Sequence, residues 1–221
     1  MGLGLMVGYL ADVRQEDPEF ADEFIQSIKE VGACLESQGL SGYSEPPDLP
    51  EDDWFSCEMY GYSGLHHLRR LAAYVALDQR IYTPSCEAPD DDPVVERYYE
   101  AVGDGDISDL PFQHLMLHGD SEGFYVPVDF ARVIDPGESS DLVGGEIGSA
   151  HRLLAECKAL ARVLELPEDL NCESDEVWEA AGAPGAGQVR WQKFGIESFS
   201  CIRLIRGCEA SIKTGAALVF C

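Results

Sequence analysis

Apolar residues recur at spacings of three and four along several long stretches and at spacings of two along shorter ones. That division predicts helices and strands in one chain. The clearest helix is "DPEFADEFIQSIKEVGACLESQG". Phe20, Phe24, Ile28, Val31 and Leu35 form one stripe, Asp17 is the expected cap and Pro18 suits the first helical position. In "SGLHHLRRLAAYVAL" Ser63 is the expected cap, and Leu65, Leu68, Ala72 and Val75 point inward. A shorter helix is expected from Pro93, behind Asp92. "GGEIGSAHRLLAECKALARVLEL" predicts a glycine-rich entry loop and a helix capped by Ser149, with Leu153, Cys157, Leu160 and Leu164 inward. The last helix carries Phe199, Ile202, Ile205, Cys208 and Ile212, and Gly215 stops it.

Strands are expected near residues 2–10, 54–61, 113–118, 123–128 and 216–220. Two acidic stretches without periodicity, near 40–53 and 84–92, read as surface loops, and 166–188 is loop-rich. The final helix and strand are too apolar to stand without the earlier elements. The expectation is therefore one α+β domain over residues 1–221, with a mixed, mainly antiparallel sheet of about five strands packed by four to five helices.

Composition narrows the class. The chain has 221 residues, 45% of them hydrophobic and 10% aromatic, as in a folded globular protein. No apolar run reaches the roughly 20 residues that span a bilayer. The opening "MGLGLMVGYLAD" lacks a basic leader and reads as a first strand rather than a signal peptide. Eight cysteines include no Cys-x-x-Cys pair, and several fall on apolar helix faces. They read as reduced, structural residues of a cytoplasmic protein.

Charge changes the picture most. Fifteen bases against 41 acids give −26, and the imbalance is uneven. Residues 1–146 hold 31 acids and 7 bases (−24), whereas residues 147–221 hold 10 acids and 8 bases (−2). Such a field excludes nucleic acid and anionic membranes as direct partners, because their phosphates are repelled. It speeds association with a basic protein. Solubility or a salty habitat would leave the same composition.

Candidate chemistry centres on "FQHLMLHGDSEGFYVPVDF". Read with a period of two, it is a hairpin, with "GDSEG" at the reversal and His114 and His118 on one face of the first strand. The chemical alternative takes His114, His118 and Asp120 as metal ligands, completed by Glu122, in a metal-dependent hydrolase or other small-molecule enzyme. Four residues along one strand separate the histidines by about 13 Å at the backbone, and no His-Glu-x-x-His pattern is present, so the hairpin is the preferred reading. The basic island "LHHLRR" either meets a carboxylate ligand or pairs Arg69 and Arg70 with acids of the same chain, and self-pairing is the expectation. "GGEIGS" matches neither glycine-rich phosphate motif, and no Gly-x-Ser-x-Gly is present. No cofactor is expected.

Three segments, "YSGLHHLRRLAAY", "HLMLHGDSEGFYVPVDF" and "GSAHRLLAECKALARVLELP", together resemble a family of uncharacterised bacterial proteins, and the closing "SIKTGAALVFC" has the same character. The resemblance implies no activity and no functional residues. In charge and size the chain is also similar to immunity proteins that neutralise basic toxins.

The reading that follows is a non-enzymatic, cytoplasmic binding protein whose acidic first two-thirds meets a basic protein partner, as an inhibitor or immunity protein. Asp48, Glu51, Asp52, Asp53, Asp90, Asp91 and Asp92 are expected to steer the encounter. Tyr43 and Trp54 are expected to be exposed anchors.

Overall fold

A computed structural model describes residues 3–87, 89, 91–103 and 110–221. The chain runs through β1 (Gly4–Val7), α1 (Tyr9–Glu16), α2 (Pro18–Ser37), β2 (Phe55–Glu58), α3 (Gly61–Ala76), α4 (Pro93–Gly103) and α5 (Gln113–Met116). It continues with β3 (Phe124–Val126), α6 (Ser140–Val143), β4 (Ile147–Ser149), α7 (Ala150–Leu164), α8 (Asp175–Gly182), α9 (Arg190–Lys193), α10 (Gly195–Thr214) and β5 (Leu218–Phe220). Five of these helices, α2, α3, α4, α7 and α10, are 11 residues or longer; apolar stripes predict four of them, and Pro93 behind Asp92 predicts α4.

The five strands form one sheet in the order β2-β1-β5-β3-β4. Every pairing is antiparallel except β3 with β4. This is the expected α+β class with a mixed, mainly antiparallel sheet. The first and last strands lie side by side, Leu5 opposite Phe220 and Val7 opposite Leu218.

Strand alternation divides the core. Leu5, Val7, Tyr125 and Leu218 face a cluster built with Leu65, Leu68, Leu153, Leu160 and Leu204 from α3, α7 and α10. Met6, Phe124, Val126 and Val219 face the other way, against Phe24, Ile28, Val31 and Leu35 of α2. The sheet is thus covered on both faces, by one long helix and by three. Asp17 caps α2 as expected, its Oδ1 accepting from Glu19 N at 3.2 Å and Phe20 N at 3.1 Å, an arrangement worth about 1 kcal/mol. Phe20 departs from the predicted stripe: it is 41% exposed and edges against Tyr9. Ser149 caps α7 through Arg152 N, and Asp92 holds the start of α4 through Val94 N at 2.9 Å. Gly215, in the left-handed region at φ 80, ends α10 as predicted.

Four local readings are corrected. Residues 113–118 are not a strand: Gln113–Met116 is a helical turn, and β3 pairs with β4 and β5 instead of with a hairpin partner. Ser63 does not cap α3, which begins at Gly61, and its hydroxyl points back to Tyr60 O. "GGEIGS" is not merely an entry loop, since Ile147–Ser149 is a buried edge strand. The loop-rich stretch 166–188 contains α8, whose Val177 and Ala181 pack with Trp191 and Phe199. All eight cysteines are free thiols, with Cys157, Cys201 and Cys208 buried. No helix of the described residues is long and apolar enough to cross a membrane.

Candidate functional site

The segment after Phe112 folds as a helical turn because its backbone polar groups find partners far away in sequence. Glu156 of α7 accepts from His114 N at 3.0 Å and Leu115 N at 2.8 Å, capping α5. Arg69 of α3 reaches the same segment from the other side. Its Nε donates to Leu115 O at 2.8 Å, its Nη2 to the His118 and Gly119 carbonyls, and its Nη1 pairs with Asp120. Phe112 pays for this arrangement with a left-handed backbone, φ 68, a strain of about 1–3 kcal/mol that the surrounding bonds hold in place.

The two histidines are committed within this framework. His114 Nδ1 accepts from Ser149 N at 3.0 Å, and burial pushes its pKa down to about 4. His118 stacks on Tyr125 at 3.9 Å, and its ring nitrogens face the Phe124 and Gly119 carbonyls. Its pKa also falls to about 4, because burial outweighs those carbonyls. Both rings are therefore neutral near pH 7. Asp120 lies with His66, at 3.0 Å, and Arg69; the hydrogen bond to His66, joined by the guanidinium, holds its carboxyl well below the usual range. Glu122 is exposed. Among the described residues no group of three or more His, Cys, Asp or Glu side chains is arranged to hold a metal ion. His114, His118 and Asp120 thus serve packing and turn formation, Glu122 stands in solvent, and the geometry of the four lends no support to the metal-dependent reading.

The basic island turns inward. Arg70 is 7% exposed, lies 3.9 Å over the Tyr82 ring and 4.0 Å from Glu197. Tyr82 Oη donates to the same carboxylate at 2.6 Å. Self-pairing of Arg69 and Arg70 is what the structure shows, and it removes two of the seven bases of residues 1–146 from the surface.

What remains on that surface is mostly acid, with Arg14, Lys29, Arg80, Arg97 and Arg132 as its exposed bases. Asp48, Glu51, Asp52 and Asp91 are exposed. Asp53 and Asp92 are half-buried: Asp53 pairs with Lys213 at 2.8 Å, and Asp92 caps α4 and accepts from Tyr74 Oη. Asp90 lies outside the described residues. Tyr43 and Trp54 are half-buried rather than exposed, packed against the α2 cluster. Trp54 Nε1 donates to Leu49 O at 2.9 Å, and Tyr43 Oη bonds to Glu45, which also accepts from Ala217 N at 2.9 Å. Burial raises Glu45 to about 7. These two aromatics fasten the acidic loop to the body. At Gly32 the Tyr43 carbonyl approaches so closely that a Cβ would lie 2.6 Å from it, so glycine is required for the loop to rest on α2.

The helices add carboxylates that the loop-centred reading missed. Glu16, Asp17, Glu19, Asp22 and Glu23 are exposed around the α1–α2 corner, and Glu96 and Glu100 along α4. Their signal was available: they occupy the positions that the apolar stripes leave outward. A family model matches residues 1–220, and its description is "Putative DNA-mimic protein".

The chain belongs to this DNA-mimic family.

No curated protein and no solved structure matches it. Membership agrees with the resemblance to uncharacterised proteins seen in the sequence, and it groups the chain with acidic, non-enzymatic binding proteins. Nothing in the comparisons joins it to immunity proteins.

Proposed function

We propose that the chain occupies the DNA-binding surface of a basic protein, its exposed carboxylates standing in for backbone phosphates, and that it thereby inhibits that partner. The observation that carries this reading is the charge of a DNA-mimic family member, −26 with −24 in residues 1–146. Duplex DNA carries one charge per about 1.7 Å of axis, so 26 charges equal the load of about 44 Å of duplex. A folded chain of 221 residues is itself about 44 Å across. The charge per unit length is therefore that of the ligand imitated. Glu16, Glu19, Asp22 and Glu23 at the α1–α2 corner, with Asp48, Glu51, Asp52 and Asp91, steer the encounter. Phe20, 41% exposed within that corner, replaces Tyr43 and Trp54 as the apolar anchor. Cytoplasmic inhibition of a DNA-acting protein follows, and neutralising a basic toxin of that kind is one form of it.

The test is capture from cell extract on the immobilised chain, followed by washing with duplex DNA. Release of DNA-binding proteins by the duplex supports the reading. Captured proteins that resist the duplex, or a capture that never includes DNA-binding proteins, would count against it.

A further inference from the structure

Between α1 and the acidic loop, Ala11, Gln15, Pro47, Leu49 and Pro50 line a groove of about 460 Å³. Its walls are fixed before anything enters. Trp54 Nε1 holds Leu49 O at 2.9 Å, and the Arg14 guanidinium donates to Pro47 O. The rings of Pro47 and Pro50 set their own φ. Ala11 and Leu49 are half-buried at the floor, whereas Asp48 is exposed at the rim. We infer that this groove is a socket for one arginine side chain of the basic partner.

The inference rests on the DNA-mimic reading, in which the partner presents side chains that otherwise contact phosphate. Charge and shape select the occupant. Residues 11–16 carry −1 and residues 47–53 carry −4, so both walls are negative. Arg14 is the one base in these two segments, and its guanidinium is taken by the Pro47 carbonyl. An entering arginine lays its aliphatic stem along Ala11, Leu49 and the proline rings, while its head stays at the wet rim. There the planar guanidinium forks onto the Asp48 carboxylate through two parallel hydrogen bonds. An acidic side chain is repelled by the walls, and an aliphatic one leaves their charge unanswered. Exposed carboxylates alone steer from many directions. A socket between Glu16 on one side and Glu51 and Asp52 on the other adds a fixed point of register.

The probe is a capped peptide with a single arginine, titrated into the full chain and followed by amide chemical shifts. Its citrulline counterpart keeps the shape and removes the charge. The expected shifts concentrate at Ala11, Gln15 and Leu49 rather than along α4, and citrulline binds about tenfold more weakly or worse. Ala11→Trp fills the groove without changing charge and is expected to weaken the arginine peptide about fivefold or more. Gln15→Trp, from an exposed position, gives the same result if Ala11→Trp does not fold. Shifts spread evenly over the acidic surface overturn the socket. So does a folded groove-filled chain that binds as tightly as the native one, or citrulline that binds as well as arginine. The peptide result does not depend on the partner's identity. A socket that fails here leaves the DNA-mimic reading standing, and that reading fails only by its own capture test.

Discussion

Residues 1–146 and residues 147–221 handle charge in opposite ways. The second region nearly balances its acids with bases, and three of its ten acids lie beside them: Glu173 with Arg203, Glu209 with Lys158 and Arg206, Glu197 with Arg70. Its helices α7 and α10 supply much of the larger core cluster. The first region turns Arg69 and Arg70 inward and leaves carboxylates on α1, α2, α4 and the 41–54 loop with little to neutralise them. The difference teaches that stability and recognition draw on separate charges. Buried ions hold the scaffold, and the exposed ones take no part in it.

Removing a buried ion should have the largest effect. Arg69→Met strips three carbonyls and Asp120 of their donor. We expect a loss of about 3–5 kcal/mol, read from the urea midpoint. An unchanged midpoint would break the claim that this arginine organises residues 113–120.

Glu156 sharpens the comparison through pH. Its pKa is raised to about 7 by burial, against an ordinary value of 4.5. The folded state therefore keeps a proton that the unfolded state has released, so the stability of this group is present below pH 4.5 and lost as pH rises towards 7. Glu156→Gln removes that dependence, and relative to the native chain the variant should gain up to about 3 kcal/mol between those limits. His114 and His118 act with the opposite sign. With folded values of about 4, they favour folding above their ordinary 6.5 and lose that contribution as pH falls towards 4. A Glu156→Gln difference that is flat with pH would contradict the buried-carboxyl account.

The surface set should behave otherwise. Asp48→Asn/Glu51→Gln/Asp52→Asn/Asp91→Asn alters only exposed groups and should move stability by no more than about 0.5 kcal/mol. Association with a captured basic partner should slow several-fold, with a flatter salt dependence. Equal on-rates would remove the steering role. The smallest effect belongs to Lys213→Ala, which breaks an exposed pair with Asp53 and should cost under about 1 kcal/mol by thermal denaturation.

Much of the scaffold was legible because its signals are local. The stripe of α2, the caps Asp17, Asp92 and Ser149, and the stop at Gly215 each depend on neighbours within one turn. The opposite holds for "HLMLH", where alternation mimics a strand. Its conformation is set by Glu156 and Arg69, more than 40 positions away in either direction. β4 was hidden for a related reason: three residues behind two glycines carry no period, and the strand exists through pairing with β3. The acidic site was half legible. Total charge and the loops were plain, but treating Asp53, Asp92, Tyr43 and Trp54 as free missed the partners that tertiary structure brings to each. The carboxylates of α1 and α2 lie on the helix face that does not pack, the complement of the apolar stripe.

The most direct test of the central claim is a titration of the chain into a preformed complex of labelled duplex DNA and a captured partner, followed by fluorescence anisotropy. The account predicts that the duplex is released completely and competitively. The chain neutralised at Glu16, Glu19, Asp22, Glu23, Asp48, Glu51, Asp52 and Asp91 should need a higher concentration to do the same. A stable ternary complex of partner, duplex and chain would contradict it, since the chain and the DNA would then occupy different surfaces.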